Sequence, residues 1–437
     1  MKWVMVVLLV ACGSGKQTAS SGSGSGSSTM LTPGDAAVAK DNATPIRFPA
    51  CKQRATLTPI PLPAFRPRGA HLIAGQLVVG KDAGSAGKRD VWGYATFDLE
   101  KREWADLPDA RLDGIKDGLP LYVTSSTHLM LTYEKRDGWG AVVLDVPKRT
   151  WTTMRVFDSP WSTVSGERFG DMLVAVPYRP CGFMHFELAH VVNGARFAPI
   201  PATLAPRARS FVESVTGKGI LWGGDVYPDP PATGDIGCKD DDAKYKPIAD
   251  GAIFDPTTRK WRAMASGAPP GARPFGVSDP YVFVIVETAL WRYDAAADAW
   301  KRIGDLAVLG KDFILSARAV VGDHFAILQT KSPPRREVLV DNKTGSPREL
   351  PAPPQEIANA IAVDDRHLLA LPRGEWKQLK NPGSTDPFAY LQDVTTGSWC
   401  ELAWSIPHPY SYAVAERYRD RLVLWEFDGS GVEVTIR

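Results

Sequence analysis

The chain has 437 residues, of which 44% are hydrophobic and 23% are charged, as is ordinary for a globular protein. Its net charge is only +2 and no basic run stands out, so nothing in the composition favours nucleic-acid binding. A chain this long exceeds one ordinary core unless the core is built from repeats, and its 39 Gly and 36 Pro favour a turn-rich all-β protein.

Residues 1–11 have the features of a signal peptide. Lys2 is the only charge, and the apolar run that follows is too short to span a bilayer. The run closes with Leu9-Val-Ala-Cys12, which resembles the bacterial lipoprotein signal. That resemblance implies that Cys12 is acylated and becomes the mature N-terminus, with a plain secretory signal as the alternative. Gly13 follows instead of the Asp of the inner-membrane retention signal, so we expect an anchor in the outer membrane of the bacterial cell envelope.

Residues 12–45 are rich in Gly and Ser, with the run Ser20-Ser-Gly-Ser-Gly-Ser-Gly-Ser-Ser28 at their centre. Such a segment cannot bury enough apolar area to fold. It predicts a flexible, lipid-bearing tether ahead of a folded domain at 46–437.

A repeated hairpin pattern organises the folded domain. A short apolar run ends in Asp, a polar turn follows, and a Trp six residues after the Asp opens the next apolar run. The Asp carboxylate can accept backbone N–H groups of the turn, and the Trp begins the return strand. The five pairs are Asp98/Trp104, Asp145/Trp151, Asp255/Trp261, Asp294/Trp300 and Asp393/Trp399.

Each hairpin belongs to a unit of four predicted strands. One unit lacks the pair, and we assign Gly182–Phe186 and Arg196–Ile200 as its third and fourth strands. The last unit has only three strands before Arg437, and Arg54–Leu62 is predicted to supply the fourth. This N-terminal strand would close a ring of eight units and so remove the unpaired edges. Seven is the alternative, if one weak unit is an insertion.

The end of a second strand carries a family resemblance. Trp222-Gly-Gly224 followed by the Asp-turn-Trp hairpin resembles a kelch repeat of the galactose-oxidase-like propeller superfamily. The resemblance implies an all-β, kelch-like β-propeller over residues 46–437, with eight blades or, alternatively, seven.

Four cysteines remain once Cys12 is set aside, an even number that suggests two disulfides in an exported protein. Their positions in the repeat predict the pairs Cys181–Cys238 and Cys51–Cys400. Free buried thiols are the alternative.

Candidate ligand-binding residues lie where one unit crosses to the next. A ring of guanidinium groups there could hold a carboxylate or an acidic glycan through paired hydrogen bonds, although Arg at such places also packs between blades. A nearby aromatic loop offers a sugar-binding surface or only a packed lid. A loop with three adjacent carboxylates is a weak Ca²⁺ candidate, with a solvated acidic loop as the alternative. The residues are Arg68, Arg207, Arg209, Arg273 and Arg318; His408 and Tyr410; and Asp240, Asp241 and Asp242.

No catalytic motif stands out. The sequence has no Ser nucleophile elbow, sialidase Asp-box or metalloprotease His-Glu-x-x-His. The copper site of the galactose-oxidase group needs paired His and Tyr with a free Cys, whereas the histidines here are scattered: His71, His128, His185, His190, His324, His367 and His408. We therefore predict a non-catalytic envelope lipoprotein without a cofactor, its propeller binding an envelope protein or glycan. The alternative is a carbohydrate-active or oxidative enzyme with its site at the channel mouth.

Overall fold

The computed structural model describes residues 48–437 apart from a set of short internal segments. Those segments are 83–90, 116–120, 136–137, 159–162, 170, 180–182, 185–189, 194–195, 200–202, 206, 208–209, 227–245, 308–316, 330–334, 354–356, 373–388, 405–411 and 427–428. Within the described ranges no helix is long and apolar enough to cross a membrane.

The described elements are all β-strands. The first half of the chain contains β1 (Ala55–Ile60), β2 (Pro67–Ile73), β3 (Gln76–Lys81), β4 (Val91–Trp92), β5 (Tyr94–Asp98), β6 (Glu103–Asp106), β7 (Ala110–Arg111), β8 (Leu121–Thr124), β9 (His128–Lys135), β10 (Gly138–Asp145), β11 (Thr150–Asp158), β12 (Thr163–Phe169), β13 (Met172–Arg179), β14 (Phe183–Met184), β15 (His190–Asn193), β16 (Arg196–Pro199), β17 (Phe211–Val215) and β18 (Lys218–Trp222).

The second half of the chain continues in the same way. It contains β19 (Asp225–Val226), β20 (Lys246–Pro247), β21 (Gly251–Asp255), β22 (Lys260–Ala263), β23 (Arg273–Ser278), β24 (Tyr281–Val286), β25 (Ala289–Asp294), β26 (Ala299–Asp305), β27 (Ala317–Val321), β28 (His324–Gln329), β29 (Arg336–Asp341), β30 (Pro347–Leu350), β31 (Ile357–Ala362), β32 (His367–Pro372), β33 (Ala389–Asp393), β34 (Ser398–Leu402), β35 (Tyr412–Tyr418), β36 (Arg421–Glu426) and β37 (Gly431–Ile436).

The fold is a β-propeller. Among the described strands, antiparallel pairing builds eight sheets of four or five strands, which we number along the chain. Sheets 1 to 4 are β2-β3-β5-β6, β8-β9-β10-β11, β12-β13-β15-β16 with β14 on β13, and β17-β18-β21-β22. Sheets 5 to 8 are β23-β24-β25-β26, β27-β28-β29-β30, β31-β32-β33-β34 and β35-β36-β37-β1. Two short ladders, β4-β7 and β19-β20, lie outside them. The all-β propeller prediction is confirmed.

The apolar core lies between sheets. Each hydrophobic cluster found in the described part of the chain joins two consecutive sheets, and one of them joins sheet 8 to sheet 1. In that cluster Val423 and Trp425 of β36 pack with Leu77 and Val79 of β3. A sheet is therefore apolar on both faces, and its strands are nearly continuous apolar runs such as Tyr281–Val286 of β24.

The Asp of each repeat caps its turn as the sequence predicted. Asp98 Oδ1 accepts the backbone N–H groups of Glu100 and Lys101 at 2.9 and 3.0 Å. These donors stabilise the ionised carboxylate and hold its pKa below the usual range. The same pair of backbone hydrogen bonds to the Asp carboxylate forms at Asp255, Asp294, Asp341 and Asp393.

Three Trp residues of the repeat have a second role, which is to tie their sheets to the preceding ones, whereas the Nε1 of Trp300 is buried without a hydrogen-bond partner among the described residues. The indole Nε1 of Trp151 donates to the carbonyl of Pro108 at 2.7 Å, just past the outer strand of sheet 1. Trp104 and Trp399 donate in the same way to Pro61 and Pro351, at 2.8 and 3.1 Å. The motif therefore fixes both the hairpin and the packing of neighbouring sheets.

Sheet 3 departs from the predicted strands. Its third strand is β15, in which Val191 and His190 pair with Val174 and Ala175 of β13. The predicted third strand at Gly182–Phe186 is wrong, since β14 pairs only with Tyr178 and Arg179 at the far end of β13. The centre of β13 pairs instead with β15, which contains the β-branched residues Val191 and Val192. The fourth strand lies at Arg196–Pro199, close to where it was predicted.

The N-terminal part of the domain lies against the last two sheets. Strand β1 pairs antiparallel with β37, from Ala55↔Ile436 to Ile60↔Gly431. Just ahead of β1, Cys51 forms a disulfide with Cys400 of β34, and its N–H donates to the Glu401 carbonyl at 2.9 Å. The predicted Cys51–Cys400 pair is confirmed. The predicted Cys181–Cys238 pair lies outside the described residues.

The Cys51–Cys400 bond provides a test of how much this attachment stabilises the domain. Replacing both cysteines by Ser should lower the free energy of unfolding by about 2–4 kcal/mol, because the bond restricts the unfolded chain. The measurement is the denaturant midpoint of the purified protein. An unchanged midpoint would contradict this role. Reductant added to the double variant serves as the control, because it then acts only on a bond formed by other cysteines.

Candidate functional site

We call one face of the propeller the upper face. It is the end at which the first strand of each sheet begins and the second strand of that sheet ends. Connections between sheets and connections from second to third strands both emerge there, because each sheet is an antiparallel meander. The face that carries long connections on a rigid scaffold is the usual place for binding residues.

Five side chains of β2, β4, β5 and β8 lie where sheets 1 and 2 meet, and we call them the mouth cluster. Arg68 and His71 lie on β2, Trp92 on β4, Tyr94 at the start of β5, and Tyr122 on β8. Strands β2 and β8 are the first strands of their sheets, so the cluster borders the centre of the ring. Trp92 is placed by its pairing with Ala110 in the β4-β7 ladder.

Two ring contacts hold side chains of the cluster in place. The guanidinium carbon of Arg68 lies 4.6 Å from the centroid of the Trp92 ring. The rings of His71 and Tyr122 are 4.5 Å apart, centroid to centroid, and inclined at 59°. Tyr122 is nevertheless 63% exposed, one of few large apolar side chains with such exposure in the described chain. The cluster thus offers solvent a held cation and a held aromatic ring.

The cluster carries a single full charge at neutral pH. Burial lowers the pKa of His71 to about 4, so its imidazole is neutral. Burial raises the pKa of the Tyr94 hydroxyl above its ordinary range, while the charge of Arg68 lowers it and Tyr122 raises it. Arg68 and Tyr122 therefore both lie within electrostatic range of the Tyr94 hydroxyl.

Arg207, another predicted ligand residue, is buried beneath the upper face. Its guanidinium donates to both carboxylate oxygens of Asp250, at 2.7 and 3.3 Å. It also donates to the carbonyls of Ala205 and Gly223, at 3.1 and 3.3 Å. No part of the Arg207 side chain is exposed. These contacts match the alternative in which the Arg packs within the scaffold and does not bind a ligand.

The other predicted residues divide into two groups. Arg273 and Arg318 open or nearly open the first strands β23 and β27, as the repeat predicted, and nothing is described of their side chains. The remainder lie outside the described residues: Cys12, Cys181, Arg209, Cys238, Asp240, Asp241, Asp242, His408 and Tyr410.

The described part of the chain contains no group of three or more His, Cys, Asp or Glu side chains placed to hold a metal ion. The Ca²⁺ prediction concerns Asp240, Asp241 and Asp242, which lie outside the described residues.

Sequence reasoning found Arg68 and missed its neighbours. Trp92 and Tyr122 belong to no repeat motif, and they lie 24 and 54 positions after Arg68. An alignment of predicted first strands would have placed Tyr122 near the start of β8, in a strand that borders the centre of the ring. The exposure of its ring could not be seen from that alignment, because it depends on how the two sheets meet.

No protein-family model matches this chain, and no curated protein sequence matches it either. Solved structures similar to it include a prolyl endopeptidase, with 13% identity and a TM-score of 0.42 over 82% of this chain and 54% of that one. An oligogalacturonate lyase in complex with manganese has 12% identity and a TM-score of 0.41 over 89% and 98%. Sqt1 of Saccharomyces cerevisiae has 8% identity and a TM-score of 0.45 over 89% and 99%. The chain spans about half the length of the prolyl endopeptidase.

Proposed function

We propose that this protein is a non-catalytic, lipid-anchored protein of the bacterial cell envelope whose propeller binds an envelope protein or glycan at the mouth cluster. The observation that carries the proposal is the exposed Tyr122 ring, held in a tilted contact with His71, together with the Arg68 guanidinium held over Trp92. Aromatic rings held in place lose little conformational entropy on binding and are enriched at recognition surfaces.

The titration properties of the cluster favour binding over acid–base chemistry. A general acid or base works best with a pKa near the working pH. The pKa of His71 is about 4, and that of Tyr94 is raised by burial. Neither group exchanges its proton near pH 7. Stacking and ion pairing are what this set of side chains supplies.

We further propose that sheets 1 to 8 are eight blades of one closed, kelch-like ring. The apolar clusters between consecutive sheets support it, as does the pairing of β1 with β37. With closure, β1 supplies the fourth, outer strand of the last blade, so that the last blade has as many strands as the others.

The proposed anchor is the lipid on Cys12. A Gly/Ser-rich tether of the length of residues 12–45 has a mean reach of about 30–35 Å. That distance would hold the propeller clear of the outer membrane while keeping its upper face close to envelope ligands. The mouth cluster would then meet its ligand at a high local concentration.

Replacing Cys12 by Ser tests the anchor. In a Gram-negative host the wild type should partition with outer membranes and incorporate labelled palmitate, whereas the variant should do neither, because no other residue is proposed to carry lipid. The double replacement of Cys51 and Cys400 by Ser is the matched control and should remain anchored. Retention of the Cys12 variant in the membrane fraction would contradict the proposal.

Replacing Tyr122 by Ala tests the binding face. In the acyl-free Cys12→Ser background, retention on an outer-membrane fraction should fall about tenfold, equivalent to about 1.4 kcal/mol, since the stacking surface is lost. Protease treatment of the fraction beforehand separates a protein ligand from a glycan.

Leu62→Ala is the matched control, because Leu62 is 73% exposed but follows β1, outside the mouth cluster. It should bind like the parent protein. Equal loss in both variants would indicate non-specific adhesion and would count against the proposed face.

A further inference from the structure

We infer that the mouth cluster selects a saccharide ring that bears a carboxylate. This inference rests on the proposed function, because it assumes that the cluster binds a ligand at all. It adds the chemical class of that ligand and assigns separate roles to Arg68 and Tyr122.

Arg68 provides the anion contact. Its guanidinium is held over Trp92, a contact made through the ring face that uses none of its five N–H donors. Among the described residues no carboxylate pairs with it, although Arg66, two residues earlier, pairs with Asp82 at 3.5 Å. A planar guanidinium held in one orientation suits the two oxygens of a carboxylate.

Tyr122 provides the ring contact. One side of its ring is packed on His71, so the ring is held in place while most of it remains exposed. A flat, amphipathic surface of this kind suits the C–H face of a sugar together with its hydroxyl groups. Because His71 is neutral, the platform adds no second positive charge, and Arg68 alone selects the charge of the ligand.

Both contacts lie at the junction of two sheets. Arg68 is on β2 of sheet 1 and Tyr122 on β8 of sheet 2, and His71, three residues after Arg68 on β2, contacts the Tyr122 ring. The Tyr94 side chain at the start of β5 is almost wholly buried. We assign both contacts to one saccharide residue, with its carboxylate attached directly to its ring.

Isothermal titration with a matched pair of saccharides tests the inference. The probes are an oligosaccharide of glucuronic acid and its carboxyl-reduced counterpart, titrated into the full chain carrying Cys12→Ser. We expect at least tenfold tighter binding of the acid form, decreasing with added salt. Arg68→Ala should abolish the preference, Arg68→Lys should restore part of it, and Tyr122→Ala should weaken both probes by a similar factor.

Two outcomes would overturn the inference. One is a preference for the acid that survives Arg68→Ala. The other is no binding of either probe by a protein whose retention on envelopes still depends on Tyr122, which would leave the proposed function intact with another ligand class. A protein that binds neither probe, and whose retention on envelopes does not depend on Tyr122, would count against the proposed function itself.

A second inference comes from a buried pair between sheets 6 and 7. Glu337 of β29 and Gln392 of β33 are wholly buried in the third strands of these sheets. The Gln392 Nε2 donates to Glu337 Oε2 at 2.5 Å. The second carboxylate oxygen of Glu337, Oε1, and the amide oxygen of Gln392, Oε1, are also buried and have no hydrogen-bond partner in the described part of the chain. Two unpaired buried acceptors in one contact would be costly.

We propose that Glu337 carries a proton at neutral pH and donates it from Oε1 to the Oε1 of Gln392. The proton comes from solvent and adds to the carboxylate, so the carboxyl group and the amide then exchange two hydrogen bonds. One proton removes both unpaired acceptors, since it makes one of them a donor to the other.

The surroundings agree with this assignment. Burial raises the pKa of Glu337 to about 8, while the Gln392 hydrogen bond and the charge of Arg348 act against that rise. The neighbouring charges on the packed strands are already engaged: Arg348 with the Val394 carbonyl, Arg336 with Glu349, and Asp393 with Arg366.

The pH dependence of unfolding follows from the sign of the shift. The unfolded chain releases this proton near pH 4.3 and the folded protein near pH 8, so the folded state binds the extra proton in between. Stability from this group is therefore lost as pH rises toward 8, with the unfolding equilibrium constant increasing up to tenfold per pH unit. Above pH 8 no further change is expected.

Glu337→Gln tests the pair, because an amide keeps both hydrogen bonds and cannot titrate. The ratio of the wild-type unfolding constant to that of the variant should rise between pH 5 and 8. Infrared spectroscopy should show a protonated-carboxyl band that titrates near pH 8 in the wild type and is absent in the variant. Glu416→Gln is the control and should keep that band, although burial raises the pKa of Glu416 to about 7. A ratio that is flat with pH, or a band titrating near pH 8 that persists in Glu337→Gln, would overturn the proposal.

Discussion

Burial of each sheet against the next is the interaction on which the whole domain depends. A single four-stranded sheet here is apolar on both faces and cannot be stable alone, so every sheet needs two neighbours. At three of the repeats the Trp adds direction to this packing, because its indole N–H reaches a Pro carbonyl just past the outer strand of the preceding sheet. The Asp shapes the hairpin that presents the Trp. Stability and geometry thus come from the same short motif.

The same packing creates the mouth cluster without any motif of its own. When sheets 1 and 2 meet, their first strands bring His71 against Tyr122, and the β4-β7 ladder brings Trp92 beneath Arg68. The rigid sheets fix the positions, and side chains at the strand ends supply the chemistry. Arg207 differs from Arg68, because its guanidinium forms an ion pair with Asp250 within the scaffold.

How much could be predicted from the sequence depended on how local each cause is. The Asp turns were predictable because an Asp carboxylate reaches N–H groups only two and three residues ahead. The Cys51–Cys400 pair was predictable once the order of units was known. The third strand of sheet 3 could not be predicted, because two segments, β14 and β15, both pair with β13 and neither carries the Asp or Trp of the repeat. The burial of Arg207 depends on Asp250, 43 positions later, which no local pattern signals.

The position of the Cys51 disulfide has a mechanical consequence. A pull on the chain ahead of residue 48 is transmitted through Pro49 to Cys51 before it reaches Ala55. There the load passes covalently into β34, the outer strand of sheet 7. The hydrogen bonds between β1 and β37 are therefore shielded from traction and are not peeled apart one after another. An applied force would have to strip β34 from β33, or cleave the disulfide, before it loads the pairing of β1 with β37.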